Sequence, residues 1–261
     1  MIRKLAQIGG EIPAHAPIQA YLLDADDDLA SEFDVRTRLS ARQGTTVKIF
    51  RAEVGECDLG STFAAVGRGF GLLVLEGLIG LDVRIGERTA TELIGAGDLL
   101  QAYVRPVEEM LARVDVWRVL APARLALLDA EFAQRVRPWP QITHALMHRA
   151  CRRTSSVDTV RAISCHPRLE VRLDLLFWHL AGRWGRVEPS GIHLVLPLTH
   201  RVLGQLVAAE RPSISHALGR LAHAGLITGS AGDWHLQGSV DDHLDALSAR
   251  TSTAQLGILP H

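Results

Sequence analysis

Residues Leu198–Gly238 constrain the fold of this 261-residue chain more than any other segment. They begin with a stretch whose apolar residues recur at helical spacing. Thr199 stands directly before this stretch, where its hydroxyl caps a helix by accepting backbone N–H groups. The predicted inner face of this helix consists of Val202, Leu203, Leu206 and Val207. Ala208 and Ala209 follow, and their small side chains predict a tight turn into a second helix.

The second helix is predicted to begin near Glu210, because a proline such as Pro212 is tolerated in a first helical turn. Its apolar stripe for the core consists of Ile214, Leu218 and Leu221. Gly225 ends this helix, and the turn Gly229–Gly232 joins two short strands, the second of them Trp234–Leu236. Two helices, a tight turn between them and a following hairpin predict a winged helix-turn-helix, which places its second helix in the DNA major groove.

The face of the second helix opposite the apolar stripe is polar. Its side chains are Arg211, Ser213, Ser215, His216 and Arg220. Residues of these types hydrogen-bond to base edges and phosphates, so this face is predicted to contact DNA. We expect phosphate contacts from Arg201, from Arg220 and from Ser230 in the hairpin turn. An apolar stripe alone occurs in many helical proteins, but its combination with the turn and the hairpin favours DNA binding.

The first half of the chain is predicted to be mostly β-structure. From Thr45 to Leu128, β-rich apolar runs alternate with glycine-containing turns. Short strands at this regular spacing are typical of an antiparallel sandwich or roll. The preceding segment Ala20–Ser40 contains spaced leucines among many acidic residues and predicts one or two short helices.

One long helix is predicted over Trp139–Ser164, a stretch without glycine. Its apolar residues recur in a heptad-like pattern, interrupted once by a polar residue, at Leu146, Ala150, Arg153, Val157 and Val160. A narrow seam of this kind predicts pairing with another helix. A further helix is predicted to begin near Pro167 and to end at Gly182 or Gly185, and Gly191–Leu196 is predicted to form a strand.

The formal net charge of −1 conceals an asymmetry along the chain. Residues 1–134 carry a net charge of −6, whereas residues 135–240 carry +7. The basic part is suited to binding a polyanion, although solvated arginines on helices would produce the same charge difference.

No apolar run reaches the roughly 18 residues of a membrane span, and no secretory signal is recognised. Three scattered cysteines predict neither a disulfide framework nor a zinc or iron–sulfur site, so we expect a cytoplasmic protein.

The segment GQLVAAERPSISHALGRLAHAGLI, Gly204–Ile227, closely resembles the DNA-binding domain of the Crp/Fnr, or cyclic-AMP receptor protein-like, regulators. The resemblance extends over roughly residues 45–240 and includes LPLT before the motif. It implies an α+β fold with an N-terminal antiparallel β-roll of the cyclic-nucleotide-binding type. The implied domains are a β-roll with an N-terminal helical segment over 1–138, a dimerisation helix over 139–165, the winged helix-turn-helix over 166–240 and a flexible tail over 241–261.

The resemblance also implies a function and partners. It implies a transcription regulator, not an enzyme, that binds a pseudo-palindromic site on double-stranded DNA as a homodimer through the helix Trp139–Ser164. RNA polymerase is a further partner that the resemblance leaves open. Arg211 matches the family's guanine-reading arginine, Thr199 its phosphate-contacting threonine and Ser213 a Ser/Thr position. Pro212 and His216 replace the family's Glu and a later Arg, so the expected DNA site differs from the family consensus.

The family's cyclic-nucleotide cassette is not preserved. Its Gly-Glu pair aligns with Gln101 and Ala102, and Arg113 is the one candidate for the arginine at the cyclic phosphate. Asp115 follows closely, and an aspartate at this site would oppose an anion. We therefore expect no cyclic-nucleotide cofactor. Haem remains an alternative cofactor, because a single His or Cys suffices as its axial ligand.

Other assignments carry less support from the residues. His144 and His148, four residues apart on the long helix, could share a metal, but we expect them to lie on its surface or at a helix interface. A metalloenzyme built on the roll would need two or three histidines and a carboxylate on facing strands. Residues 1–134 contain one histidine, His15, which lies outside the roll, so the sequence argues against such an enzyme. A regulator that responds to a small ligand and a protein-interaction module stay as alternatives.

Overall fold

A computed structural model of the chain describes residues 17–101, 111–230 and 232–246. The chain divides into two compact units, Met1–Ser156 and Val157–His261, and each is described by itself. Over the described ranges, no helix is both long and apolar enough to cross a membrane. The two units combine an antiparallel β-domain with a mainly helical domain, so the predicted α+β class is confirmed.

The first unit is a β-sheet accompanied by short helices. Its strands are β1 Ile18–Tyr21, β2 Thr46–Ala52, β3 Gly55–Cys57, β4 Gly71–Ile85, β5 Arg88–Gly95, β6 Leu99–Leu100 and β7 Arg113–Leu128. Its helices are α1 Leu22–Ala25, α2 Asp27–Ser31, α3 Val35–Arg42, α4 Gly60–Val66, α5 Ala130–Arg135 and the first part of α6 Pro140–Ser164, with a 3-10 turn at Gln43–Thr45.

Two long strands, β4 and β7, organise this sheet. The strand order is β1-β2-β7-β4-β5, with β3 on β7 and β6 on β4, and every pairing is antiparallel. Between Val74 and Ile79 the register of β4 on β7 shifts repeatedly. Gly77 lies there with φ +91°, and a Cβ would come within 2.2 Å of the Pro122 carbonyl oxygen. Such irregularities bend a strand, which lets the sheet curve over its own core as the predicted roll requires.

Two apolar clusters fill the first unit. One lies among the sheet strands and includes Leu72, Val74, Ile79, Ile94, Leu100, Val119 and Leu125. The other joins the N-terminal helices, the sheet, α5 and the start of α6, and includes Leu22, Leu29, Leu73, Phe132, Ile142 and Leu146. A buried ion pair crosses the second cluster, since Arg149 on α6 contacts Asp26 through its two terminal guanidinium nitrogens, Nη1 and Nη2, at 2.5 and 2.7 Å.

The segment Ala20–Ser40 differs from its prediction of one or two helices. It begins in β1 and continues as three short helices, α1, α2 and the start of α3. Two aspartates account for the division. The Asp26 side chain accepts a hydrogen bond from the Leu29 N–H, and Asp34 accepts from the N–H groups of Arg36 and Thr37. Each aspartate therefore caps a new helix start.

The long helix α6 confirms the predicted element, but its seam is used differently. Leu146 is fully buried in the first unit, and Ala150 packs against the same apolar cluster. Arg153 forms two hydrogen bonds with the Glu92 carboxylate, at 2.6 and 2.9 Å. The first part of the seam is thus covered by the chain's own sheet and core. Over this part of α6, a partner helix would have to meet another face.

The second unit contains the C-terminal elements. They are α7 Leu169–Trp184, β8 Arg186–Glu188, β9 Gly191–Leu194, α8 His200–Leu206, α9 Arg211–His223, β10 Ile227–Ser230 and β11 Asp233–Leu236. The strands form an antiparallel sheet in the order β10-β11-β9-β8, here called the wing sheet. The strand β8 has no counterpart in the predictions, because its three residues are all exposed and give no alternating pattern.

The segment predicted as a flexible tail, residues 241–261, begins in a helix. Residues 240–246 are helical, and His243 is buried with only 1% of its surface exposed. The reason is a hydrogen bond between His243 Nδ1 and Asp174 Oδ1 on α7, with the atoms 2.6 Å apart. Residues 247–261 lie outside the described part, and the other domain boundaries stay predictions.

Candidate nucleic-acid interface

The first helix of the motif, α8, is capped as its sequence predicts. Thr199 is the N-cap residue, and its hydroxyl oxygen accepts a hydrogen bond from the Val202 N–H at 3.3 Å. The predicted inner face is buried throughout, at Val202, Leu203, Leu206 and Val207. The cap fixes where α8 begins, and the apolar face holds it against the domain core.

The turn between the helices is tight because Gly204 has no side chain. A Cβ on Gly204 would lie 2.5 Å from the carbonyl oxygen of Ala209. The Gly204 carbonyl instead accepts a hydrogen bond from the Ala209 N–H at 2.9 Å. Ala208 adopts φ 54°, a left-handed conformation that is unusual for a residue with a side chain. The sequence analysis attributed the tight turn to the small side chains of Ala208 and Ala209. In the structure, the closest approach is between Gly204 and the carbonyl of Ala209.

The second helix, α9, begins and ends close to its predicted limits. Pro212 lies in its first turn. At the other end, the Leu226 N–H donates to the Leu221 carbonyl and the Gly225 N–H donates to the Ala222 carbonyl, with Gly225 at φ 70°. This is a Schellman cap, which directs the chain out of the helix and into the hairpin.

The buried stripe of α9 is shifted slightly from its prediction. Ile214, Ala217 and Leu221 are buried, and Leu218 is half-buried. The remaining side of α9 faces outward. It carries the predicted DNA-contacting residues Arg211, Ser213, Ser215, His216 and Arg220, all of which are exposed. The structure therefore brings these five side chains together on one helix away from the core.

Three of these residues have free side chains. Among the described residues, those of Arg211, Ser213 and His216 have neither an ion-pair partner nor a hydrogen-bond partner. The hydroxyl of Ser215, by contrast, lies 2.8 Å from Nδ1 of His200 and donates to the Arg211 carbonyl at 3.3 Å. Ser215 thereby links α9 to α8, and His200 is a residue of this surface that the sequence did not single out.

Arg220 is also engaged within the domain. Its guanidinium contacts the carboxylate of Glu170 on α7, although 57% of the Arg220 side chain is exposed. The pKa of Glu170 lies below its ordinary value: burial acts to raise it, but backbone hydrogen bonding and the Arg220 guanidinium outweigh burial. A phosphate contact by Arg220 would therefore compete with Glu170.

The other predicted phosphate-contacting residues flank α9. Thr199 and Arg201 are exposed at the start of α8, and Ser230 is exposed where β10 ends. Ser230 pairs in register with Asp233 across the wing hairpin. Trp234 anchors this hairpin, because its ring lies 4.8 Å from that of Phe177 and its Nε1–H donates to the Leu196 carbonyl at 3.3 Å.

The candidate effector residue Arg113 lies at the start of β7. Its guanidinium forms hydrogen bonds with both carboxylate oxygens of Asp115, at 2.7 and 3.2 Å. Gln101 is described and exposed, whereas Ala102 and His15 lie outside the described residues. His144 and His148 are both exposed on α6.

Comparisons with known proteins agree with this fold and with the helix-turn-helix domain. The family model of the Crp-like helix-turn-helix domain matches residues 171–237. A search of curated proteins found no match to the chain. Among solved structures, the chain is similar to a CooA mutant from Carboxydothermus hydrogenoformans, with a TM-score of 0.57, 14% identity and coverage of 77% of this chain and 88% of that chain.

Two further solved structures are similar over most of their length. FixK2 from Bradyrhizobium japonicum has a TM-score of 0.54 at 12% identity, covering 74% of this chain and 93% of that chain. CLP, described as a c-di-GMP responsive global regulator in Xanthomonas campestris, has a TM-score of 0.51 at 16% identity, covering 82% and 100%. The chain therefore has the fold of the Crp/Fnr transcription regulators and contains a Crp-like helix-turn-helix domain.

Proposed function

We propose that this protein is a transcription regulator of the Crp/Fnr type that binds double-stranded DNA in a sequence-specific manner as a homodimer. The observation that carries the proposal is the outward face of α9, where Arg211, Ser213 and His216 have free side chains among the described residues. The net charge of +7 over residues 135–240 adds a sequence-independent attraction to phosphates. We propose a cytoplasmic location and no catalytic role.

We propose that Arg211 reads one base in each half-site. A guanidinium pairs with O6 and N7 of guanine through two hydrogen bonds, and Arg211 presents a free one at the first turn of α9. Pro212 follows and offers no side-chain hydrogen bond, so the next base is left without a contact from that position. His216, one turn later, is the second proposed base contact. Thr199, Arg201 and Ser230 are proposed to bind phosphates. Ser213, Ser215 and Arg220 are proposed to contact either bases or phosphates.

A homodimer follows from the need for two recognition helices about 34 Å apart on a pseudo-palindromic site. We propose that the partner helix packs on the outer face of α6, opposite the face that contacts the chain's own core. Met147, Cys151 and Thr154 are exposed there, four and three residues apart, which is the spacing of a coiled-coil seam. Met147 is 49% exposed, and covering it would remove apolar surface from water.

We propose that DNA binding does not require a cyclic nucleotide. The carboxylate of Asp115 holds the Arg113 guanidinium, so a cyclic phosphate would have to displace a group of its own charge. Because CLP is described as c-di-GMP responsive, a response to another small ligand is the second candidate for this chain. Haem is tested separately by the visible absorbance of the purified protein.

The experiment that tests the proposal is selection of bound fragments from a random DNA pool, with and without a cell metabolite extract. We expect a pseudo-palindromic sequence, enriched equally under both conditions. Enrichment only with the extract would favour the ligand-responsive alternative, and no enrichment under either condition would contradict DNA binding. Transcription from a promoter that contains the selected site, with purified RNA polymerase, then distinguishes activation from repression.

A further inference from the structure

Two histidines and an aspartate form a cluster on the outer face of the wing sheet. His193 on β9 lies directly opposite His235 on β11. Asp233 precedes His235 by two residues on the same strand, and alternation along a strand puts both side chains on one face. The other face of the sheet points into the domain, where Leu194, Trp234 and Leu236 are buried. The cluster is therefore open to solvent and separate from the core.

Two imidazole nitrogens converge on one carboxylate oxygen in this cluster. Oδ1 of Asp233 lies 2.6 Å from Nε2 of His193 and 3.3 Å from Nε2 of His235. The two rings are stacked, with centroids 4.5 Å apart and an angle of 3° between their planes. One ligand atom from each of the three residues lies within 4.8 Å of the others.

Glu188 on β8 adds a second carboxylate behind His193. Its Oε1 lies 3.3 Å from Nδ1 of His193, on the ring side away from Asp233. Histidines that bind metals commonly donate their other N–H to a carboxylate, which fixes the ring and leaves one nitrogen for the ion. Glu188 is placed to do this for His193, leaving Nε2 directed at the cluster.

We propose that this cluster binds a divalent transition-metal ion of the zinc class through Nε2 of His193, Nε2 of His235 and the carboxylate of Asp233. Zinc takes nitrogen and oxygen ligands at about 2.0–2.2 Å in tetrahedral geometry, which sets neighbouring ligand atoms about 3.3 Å apart. The separation of 3.3 Å between Asp233 and His235 matches that value, whereas the 2.6 Å between Asp233 and His193 is a hydrogen-bond distance that must open. The stacked rings must also turn, because an imidazole nitrogen binds an ion that lies in its ring plane. Water completes the coordination.

The charges around the cluster are mixed but favour a cation. Arg186 on β8 pairs in register with His193 and is exposed, so its guanidinium opposes an ion. Asp233 and Glu188 together supply two negative charges. The competing explanation is a surface hydrogen-bond network without metal, for which one histidine at Asp233 would suffice. That network needs no second ring, whereas metal binding requires both histidines, so the effect of losing either ring on zinc affinity distinguishes the two explanations.

The test is a zinc titration of the full-length, tag-free protein against a chromophoric chelator, in the absence of DNA. We expect one zinc ion per chain at the cluster. His193→Gln and His235→Gln are each expected to lower the zinc affinity at least tenfold, and Glu188→Gln to lower it by a smaller factor. His223→Gln is the matched control, because His223 is exposed on α9 outside the cluster and its loss leaves zinc affinity unchanged.

Cobalt substitution gives a second readout. Co²⁺ at the cluster is expected to produce a visible ligand-field spectrum that Asp233→Asn alters and His223→Gln does not. The Asp233→Asn variant keeps both histidines of the cluster, so it still tests the proposal if a histidine variant fails to fold. Zinc binding by the His193 and His235 variants as tight as that of the parent would overturn the proposal. Because neither measurement contains DNA, failure of the proposed DNA binding would not affect them.

Discussion

Arg211 is the single residue on which the proposed sequence reading depends most. Replacing it with alanine is expected to cost about 1–3 kcal/mol of binding free energy per half-site, because the paired hydrogen bonds to one base are lost there. The loss should be confined to one base pair in each half-site. Binding of every single-base variant of the site, measured with the parent and with Arg211→Ala, reveals this as relaxed discrimination at that position.

Arg201→Ala provides the matched control for Arg211→Ala. Arg201 is exposed on α8 and is proposed to contact a phosphate, so its loss should weaken binding to all sequences alike and reduce the salt dependence. If Arg211→Ala behaved like Arg201→Ala, with uniform weakening and unchanged discrimination, Arg211 would be a phosphate contact and its assignment as a base reader would be wrong.

His243 makes the stability of the second unit depend on pH. Burial acts to lower the pKa of His243, but hydrogen bonds to Asp174 and the Gln237 carbonyl, with the Asp174 charge, raise it above its ordinary value. A group with a raised folded-state pKa contributes its full stabilisation below its unfolded pKa, about 6.5, and loses it as pH rises through the folded value. We therefore expect the free energy of unfolding to fall between pH 6 and pH 9.

Urea denaturation followed by tryptophan fluorescence at both pH values measures this effect, since Trp178 and Trp234 lie in the same unit. Nε1 of Trp178 is 3.1 Å from Nδ1 of His243. His243→Gln should remove most of the difference between the two pH values, whereas His223→Gln should preserve it. Equal pH dependence in the parent and in His243→Gln would contradict the assignment.

At the scale of elements, two glycines of the helix-turn-helix predict opposite effects of the same substitution. Gly204→Ala places a Cβ 2.5 Å from the Ala209 carbonyl oxygen, so the two helices must separate, at a cost of about 1–3 kcal/mol. Gly219 is exposed within α9 with open space around it, and Gly219→Ala should stabilise the helix by about 0.5–1 kcal/mol. Thermal unfolding of both variants measures these opposite effects on stability. Equal shifts of the melting temperature would mean that the turn is looser than described.

The outer face of α6 is tested through its exposed cysteine. In a symmetric dimer a residue near the two-fold axis meets its own copy, and a disulfide forms when the Cα atoms are about 4.4–6.8 Å apart. Mild oxidation should therefore link two chains through Cys151. Burial, with the charge of Asp58, raises the pKa of Cys57 to about 11, so this thiol stays unreactive.

The cross-linked dimer is measured by non-reducing gel electrophoresis. Cys151→Ser should abolish it, and Cys165→Ser, at the other exposed cysteine, should leave it intact. A dimer in solution that never cross-links through Cys151 would place the partner on a different face of α6.

Local patterns predicted the helix-turn-helix well because its signals lie close together in sequence. The cap at Thr199, the stripe of α9 and the end at Gly225 each depend on residues within a few positions. Contacts between distant residues were not predictable in this way. The seam of α6 had the right period, but which face meets the sheet depends on the pairing of Arg153 with Glu92, 61 residues away.

The metal-binding cluster escaped the sequence analysis for the same physical reason. His193 and Asp233 are 40 residues apart and carry no ligand-spacing motif. They meet only because β9 pairs with β11 in one particular register. The helix at residues 240–246 was likewise missed, because it depends on the contact of His243 with Asp174, 69 residues away.

At the scale of the whole molecule, zinc and DNA are expected to reinforce each other. Asp233 pairs in register with Ser230, a proposed phosphate contact, so the carboxylate of the cluster repels the DNA backbone at that point. A bound zinc ion adds two positive charges there and should tighten binding of the selected site on the order of fivefold at low salt. Linkage then requires DNA to raise zinc affinity by the same factor.

The measurement is the Kd for the selected DNA with and without saturating zinc, at two salt concentrations. The parent should respond to zinc, and the response should shrink as salt screens the charges. His235→Gln should bind DNA as the zinc-free parent does under both conditions, since it lacks a metal ligand but keeps the reading face of α9. An equal zinc response in His235→Gln would place the coupling elsewhere. A zinc affinity that DNA leaves unchanged would break the reciprocity and separate the cluster from DNA recognition.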